Sequence, residues 1–261
     1  MNFLETILAH KRDEIRRARQ YVSQEELKSR PLYCRQTLSL SGALRSSRPA
    51  VIAEVKKASP SKGIIRKDFN PVQIAGQYVH GGASALSVLT DGRFFQGEVS
   101  FLEAIRPFSP IPLLRKDFII ESYQLYEAKA YGADAILLIA AALGNSALID
   151  LMTEAEEIGL ECLVEVHTEE EIRGLDGKAV KIIGINNRNL VTFQTDLATT
   201  FRLIAHVPRE SMIVSESGIA SVEDVKKLMA SGVDAILIGE QLMRAPDPGA
   251  MLSELLKGAR S

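Results

Sequence analysis

The sequence predicts an α/β protein, a (β/α)8 TIM barrel with an N-terminal helical extension. Three observations support this fold class. Eight short apolar segments alternate with segments of helical length, and strands in such an order pair in parallel through right-handed crossovers. A weak internal repeat begins at residues 81, 131 and 231, in "GGASALSV", "YGADAILL" and "SGVDAILI". The 261 residues are about what one α/β barrel with an extension requires.

The N-terminal segment is predicted to form a helix. Four apolar residues recur there at helical spacing, namely Leu4, Ile7, Leu8 and Ile15. The lysines and arginines between them are expected to face water or another surface, while the apolar face covers the barrel or meets another subunit. We assign residues 1–50 to this extension and treat residues 1–261 as a single domain, with no second catalytic domain expected.

The eight predicted strands follow the extension. They are "VIAEV" at 51–55, "ALSVLT" at 85–90, "PLLRKDF" at 112–118, "AILLIA" at 135–140, "CLVEV" at 162–166, "KIIGIN" at 181–186, "MIVSES" at 212–217 and "AILIG" at 235–239. Each copy of the repeat has the pattern of a helix end, a glycine cap and a strand. A doubly wound open sheet is the alternative architecture that this order of elements allows.

Composition and charge exclude several classes of function. Lys plus Arg number 31 against 33 Asp plus Glu, so no basic excess favours a nucleic-acid partner. Cys34 and Cys162 are too few for a disulfide framework or a zinc site, and we expect two core thiols in a reducing compartment. The four histidines lack metal-ligand spacing. His167 shares parity with Glu165 and is interpreted as a polar loop residue, the alternative being a place at the barrel rim.

Neither a secretory signal nor a membrane span is predicted from the sequence. The N-terminal segment has no uninterrupted apolar region of the kind that a secretory signal requires. The longest apolar run, residues 135–143, is far shorter than the roughly 20 residues that cross a bilayer. We therefore predict a cytoplasmic protein with no membrane partner.

Charged residues occur where predicted strands end. Glu54 and Lys56 share parity on the first strand, so both are expected to face the barrel interior, with Lys57 pointing away. Lys116 and Glu165 take equivalent positions on the third and fifth strands. Active sites of such barrels lie at the carboxyl ends of the strands, and buried charges are costly unless paired. The set therefore predicts a charged ligand or proton transfer, the alternative being ion pairs that only seal the barrel.

The last three strands end in residues suited to anions. Ser217 and Gly218 follow the seventh strand, and Gly239 and Glu240 follow the eighth, where barrels often bind phosphate through backbone N–H groups. In "GINNRNL", Asn186 and Arg188 share one face, with Asn187 on the other, and the arginine fork suits a carboxylate. Turn formation is the alternative role for these glycines and asparagines.

Six motifs together resemble one known family. "AEVKKASPSKG", "LLRKDFI", "LVEVHTEEE", "GINNRNL", "SESGI" and "ILIGEQLM" occur in the order found in indole-3-glycerol phosphate synthases, and the resemblance covers residues 51–243. It implies a carboxy-lyase of tryptophan biosynthesis that closes the ring of 1-(2-carboxyphenylamino)-1-deoxyribulose 5-phosphate, with loss of carbon dioxide and water. A phosphorylated small-molecule substrate, with no cofactor and no metal, is implied with it. We separately expect a monomer or weak homo-oligomer.

The resemblance also assigns roles to residues. The implied catalytic residues are Glu54, Lys56, Lys116, Glu165, Asn186 and Ser217. The implied substrate-binding residues are Ser59, Phe118, Arg188 and Leu190, and the implied phosphate-binding residues are Lys56, Ser217, Gly218, Gly239 and Glu240. Lys116 would be the general acid and Glu165 the base in the later dehydration, while the division of acid and base roles between Lys56 and Lys116 stays open.

Further expectations concern the chemistry of the site. Because the substrate is anionic, lysines and an arginine would lower its energy, and a crowd of cations is expected to depress some lysine pKa values. The stretch "SPSKG" at 59–63 is predicted to be a mobile loop that closes over substrate.

Two other functions remain as alternatives. One is a phosphoribosylanthranilate isomerase, which is disfavoured because the first strand ends without a cysteine. The other is a silent barrel that only binds a phosphorylated ligand.

Overall fold

The computed structural model describes residues 3–175 and 180–261 and contains a closed barrel of eight parallel strands. The predicted (β/α)8 barrel is confirmed, and the open-sheet alternative is wrong. The strands are β1 Ala50–Val55, β2 Ala58–Ser59, β3 Gly63–Ile64, β4 Ala85–Leu89, β5 Leu113–Lys116, β6 Ala135–Ile139, β7 Glu161–Val166, β8 Ile182–Asn186, β9 Met212–Glu216 and β10 Ala235–Ile238. Strand β1 closes the barrel by pairing with both β4 and β10. Strands β2 and β3 form an antiparallel hairpin outside the barrel.

Helices precede the barrel and connect its strands. They are α1 Phe3–Tyr21, α2 Gln24–Ser29, α3 Leu40–Arg45, α4 Pro71–His80, α5 Gly92–Phe95, α6 Ser100–Ile105, α7 Tyr123–Ala130, α8 Ala140–Leu143, α9 Asn145–Glu157, α10 Glu169–Arg173, α11 Ala198–Leu203, α12 Val222–Ala230, α13 Glu240–Arg244 and α14 Pro248–Arg260. Short 3-10 turns extend α6 and α11. None of the helices in the described part of the chain is long and apolar enough to cross a membrane.

The internal repeat corresponds to three equivalent helix-to-strand turns. Gly82, Gly132 and Gly232 have φ angles of 94°, 89° and 100°, which favour glycine, so the predicted glycine caps are confirmed. Two residues later in the second and third copies, Asp134 and Asp234 each accept a hydrogen bond of 2.8 Å from a backbone N–H of the preceding strand. The repeated motif thus ends a helix and fixes the start of the next strand.

Both faces of the barrel wall are buried, as is typical of parallel sheets. Along β1, Val51, Ala53 and Val55 pack in the layer between sheet and helices, whereas Ile52 belongs to the cluster inside the barrel. Glu54 has the same parity as Ile52, and this alternation directs it inward near the carboxyl end of the strand.

The N-terminal extension covers the barrel and contains three helices instead of the one that periodicity predicted. Apolar residues of α1 are buried, and Lys11 faces the barrel instead of water, with its side chain fully buried. The prediction that both cysteines are core thiols is wrong for Cys34, which is exposed, because the segment between α2 and α3 runs over the surface. Cys162 is partly buried.

Candidate active site

A cavity of about 650 Å³ opens at the carboxyl ends of the strands. The thirteen residues predicted from the sequence all line it, namely Glu54, Lys56, Ser59, Lys116, Phe118, Glu165, Asn186, Arg188, Leu190, Ser217, Gly218, Gly239 and Glu240. A volume of this size accommodates a small molecule with a ring and a phosphate. The structure therefore brings the predicted residues together, while their individual roles stay predictions.

Lys116 lies at the centre of the buried charges in this cavity. Its Nζ is 3.1 Å from Glu165 Oε2 and 3.5 Å from Glu216 Oε2. Burial alone lowers the pKa of Lys116, but the carboxylates of Glu165, Glu216 and Glu54 outweigh it and raise that pKa. The expectation that cations depress the lysine pKa values is thus wrong for Lys116, because its nearest charged neighbours are carboxylates.

The two carboxyl groups beside Lys116 titrate in opposite directions. Burial raises the pKa of Glu165, but the ammonium of Lys116 and the imidazole of His167 outweigh it and lower that pKa. Burial raises the pKa of Glu216 to about 8, because the attraction of Lys116 is smaller than the desolvation cost and the charges of Glu165 and Glu54 add to it. At neutral pH the site therefore holds an ionised Glu165 beside a protonated Glu216.

Sequence reasoning missed Glu216. The signal was available, since Glu216 shares parity with Val214, which packs inside the barrel. A glycine on the neighbouring strand makes room for it, because a Cβ at Gly184 would overlap the Glu216 side chain. Gly239 leaves the same space for the side chain of Glu54. Two glycines thus allow two carboxyl groups into a crowded barrel mouth.

His167 follows β7 directly and lies outside regular structure, as predicted, but it is not a solvated loop residue. Its side chain is only 12% exposed. The Nε2 atom is 3.3 Å from Glu165 Oε1, and Nδ1 is 3.6 Å from Glu171 Oε2. Parity with Glu165 indicated a place at the rim, and the structure makes His167 a direct neighbour of the central carboxylate.

The residues predicted to contact phosphate lie across the cavity mouth. Lys56 pairs with Glu54, in agreement with their shared parity. Ser217 and Gly218 have φ angles of 67° and 78°, and a serine in that region is a strained conformation of the kind found at functional sites. Gly239 directly precedes α13.

Arg188 and Ser59, the two residues predicted to contact the carboxylate side of the substrate, differ in their contacts. Arg188 Nη1 donates a hydrogen bond of 3.1 Å to the Phe193 carbonyl, and Arg188 Nη2 lies 3.8 Å from Glu240 Oε2. Asn187 points away, as predicted, and its Nδ2 donates a hydrogen bond to Ser215 Oγ at 3.0 Å. The Ser59 hydroxyl is buried with no hydrogen-bond partner among the described residues, so it is available to a ligand.

One wall of the cavity is apolar. Phe118 and Phe95 have ring centroids 6.3 Å apart. Sequence reasoning identified Phe118 and Leu190 but missed the contribution of the extension, from which Phe3, Leu4 and Ile7 also line the cavity. Helix α1 is therefore part of the site as well as a cover for the barrel. In residues 3–175 and 180–261, no cluster of three or more His, Cys, Asp or Glu side chains is suited to hold a metal ion.

The closed parallel barrel, with charged residues from separate strands at one mouth, defines a TIM-barrel protein with the architecture of an enzyme. A family model described as indole-3-glycerol phosphate synthase matches residues 4–255. The chain belongs to the indole-3-glycerol phosphate synthase family.

Solved structures of other proteins share the fold. Thiamine phosphate pyrophosphorylase from Pyrococcus furiosus matches with a TM-score of 0.60 at 16% identity, over 85% of this chain and 98% of that chain. The 3-hexulose-6-phosphate synthase from Salmonella typhimurium matches with a TM-score of 0.61 at 15% identity, over 81% and 98%. KGPDC from Streptococcus mutans matches with a TM-score of 0.62 at 13% identity, over 81% and 97%. At these identities the matches support the fold alone.

Proposed function

We propose that the chain is a cytoplasmic enzyme of tryptophan biosynthesis that converts 1-(2-carboxyphenylamino)-1-deoxyribulose 5-phosphate into indole-3-glycerol phosphate. The observation that carries the proposal is the buried pair of Lys116 and Glu165, 3.1 Å apart at the centre of the mouth cavity. An ammonium and a carboxylate in contact supply an acid and a base to one small substrate.

Binding would fix the two ends of a flexible substrate at separate places in the cavity and shield them from solvent. The phosphate end would lie against Ser217, Gly218, Gly239 and the backbone that begins α13, with Lys56 nearby. The aromatic end would lie between Phe118 and Leu190. Arg188 would exchange its contact with Phe193 for the substrate carboxylate, and anchoring both ends brings the reacting carbons together.

Chemistry would begin with attack of the aromatic ring carbon on the substrate carbonyl. Lys116 would donate its proton to the carbonyl oxygen as that oxygen becomes negative, and the raised pKa of Lys116 delays this transfer until charge develops. Loss of carbon dioxide from the substrate carboxylate then restores aromaticity. In the dehydration that completes the indole, Glu165, ionised because its pKa is lowered, would remove a proton from the new ring. The hydroxyl group formed from the carbonyl would leave as water with a proton supplied by one of the two lysines, Lys56 or Lys116.

The test supplies the purified protein with the carboxyphenylamino deoxyribulose phosphate and follows indole absorbance and fluorescence. The chain contains no tryptophan, so protein background is low. We expect turnover by the wild type and its loss by at least about a hundredfold in Lys116→Met, since general acid catalysis contributes on the order of 10²–10⁴ in rate.

The matched control is Lys57→Met, which removes a neighbouring lysine that is not among the residues lining the cavity. Lys57→Met should retain turnover, and Lys116→Met should retain ligand affinity. A correctly folded wild type that binds the substrate without converting it would replace the proposal with the silent-barrel alternative.

A further inference from the structure

Among the described residues at the centre of the site, Glu165 is the carboxylate with a separate basic group at each oxygen. Lys116 Nζ lies 3.1 Å from Oε2, and His167 Nε2 lies 3.3 Å from Oε1. The other ring nitrogen of His167 lies 3.6 Å from Glu171 Oε2. The imidazole is therefore placed between the buried carboxylate of β7 and a carboxylate of α10.

We propose that His167 is a positioning residue whose imidazolium keeps Glu165 ionised and fixes its orientation for proton removal. This inference rests on the proposed function, because it concerns the base of that reaction. Nothing in the proposed chemistry requires His167 to touch the substrate. Its effect would pass entirely through Glu165.

The groups that face His167 favour the imidazolium. Glu165 on β7 and Glu171 on α10 lie at its two ring nitrogens, and the next cavity along the rim, which His167 also lines, brings Arg202, Asp196 and Arg188. The backbone N–H of His167 donates a hydrogen bond of 2.8 Å to Glu171, which fixes that carboxylate beside the ring. Burial alone lowers the pKa of His167, but Glu165 and Glu171 outweigh it and raise that pKa to about 10.

Glu216 provides the internal comparison. It is as deeply buried as Glu165 and also neighbours Lys116, at 3.5 Å, yet its Oε1 has no hydrogen-bond partner among the described residues. Its pKa is raised, whereas the pKa of Glu165 is lowered. The two carboxyl groups share one lysine, which lies closer to Glu165, and Glu165 has two further neighbours, the imidazole of His167 and the side chain of Asn186.

The experiment compares pH profiles of kcat and KM for wild type, His167→Asn and His167→Gln. Loss of the imidazolium should raise the pKa of Glu165, so the acid limb of the kcat profile should move upward by about one pH unit or more, a loss of about tenfold on that limb, with KM within about twofold. His167→Gln retains a hydrogen-bond donor without the charge, so it should shift in the same direction. His206→Asn is the matched control, because it removes a histidine 3.3 Å from Glu169 outside the cavity.

A readout independent of activity is the ring ¹⁵N spectrum of wild-type His167, assigned by its disappearance in the His167→Gln variant. We expect a doubly protonated ring at pH 8, and a ring that titrates near the ordinary histidine value of about 6.5 would overturn the proposal whatever the activities of the variants. A wild-type acid limb in His167→Gln would also overturn it, since charge would then be unnecessary. A wild type with a protonated ring but no turnover would contradict the proposed function instead.

Discussion

Glu165 and Glu216 are two identical side chains on different strands of the same barrel mouth, and their surroundings give them different protonation states. Each neighbours Lys116, but only Glu165 also contacts His167. A carboxylate and a carboxylic acid can therefore coexist at neutral pH within one small cavity. The same residue type is thus ionised at one position and protonated at the other.

Replacement of Glu216 by Gln should alter the pH dependence of stability. The folded-state pKa of Glu216, about 8, lies above its unfolded value, so its stabilising contribution is complete below about pH 4 and is lost as pH rises towards 8. Between about pH 5 and 8, the unfolding free energy of the wild type should fall relative to Glu216→Gln by up to about 1.4 kcal/mol per pH unit. Urea unfolding of both proteins across that range measures the difference, and parallel curves would contradict the raised pKa.

At the level of single residues, the sequence predicted which side chains at strand ends face the cavity. It did not predict which of these charged side chains contact one another. Parity along its own strand places each of Lys116, on β5, and Glu165, on β7, inward. The lowered pKa of Glu165 also depends on His167, which lies beyond the end of the strand. Glu216 was not predicted, because the function of that strand end was assigned to the residues that follow it, Ser217 and Gly218. Contacts of this kind are set by the barrel geometry and not by local pattern.

At the level of elements, α1 is attached to the barrel by a buried cation. Lys11 Nζ lies 2.9 Å from Asp91 Oδ2 and 2.8 Å from Asp117 Oδ1, and all three side chains are fully buried. Burial alone raises the pKa of Asp117, but Lys11 and Arg115 outweigh it and lower that pKa. The helix that carries three cavity-lining apolar residues is thereby joined to the segments that follow β4 and β5.

Replacement of Lys11 by Met should loosen this helix. Two buried carboxylates would lose their shared cation, and breaking such a cluster costs on the order of 3–5 kcal/mol. Hydrogen exchange of the amides in Phe3–Tyr21 should accelerate strongly, and the urea midpoint should fall. Arg12→Met is the matched control, since Arg12 is exposed, and a surface change costs about 0.5 kcal/mol or less. Equal effects of the two substitutions would remove Lys11 as the attachment point.

Element types were predicted well where the pattern was strong. All eight barrel strands were located within about two residues at most of their ends, because apolar runs bounded by turn residues are the strongest local signal. The division of residues 3–45 into three helices and the hairpin of β2 and β3 were not predicted, since short elements depend on contacts with the barrel. The mobility of residues 59–63 stays a prediction.

At the level of the whole molecule, closure of the barrel brings distant parts of the sequence into one site. Strand β1 pairs with β10, so Glu54 lies against Gly239, almost the full length of the barrel away along the chain. The repeat at residues 81, 131 and 231 made closure predictable, because equivalent helix-to-strand turns imply equivalent units around an axis. The depth of the cavity, the balance of charges within it and its coverage by α1 could not be predicted from that repeat.

A ligand that bridges this mouth should therefore stabilise the whole barrel. If indole-3-glycerol phosphate binds as proposed, a concentration of 100 Kd adds about 2.7 kcal/mol to the free energy of unfolding, which for a chain of this size raises Tm by roughly 5–10 °C. Differential scanning calorimetry with and without the product measures the shift. Lys57→Met should show the full shift and Lys56→Met a smaller one, because only Lys56 lines the cavity. Free indole at the same concentration should give a much smaller shift, and an equal shift with indole would mean that the phosphate end contributes nothing to binding.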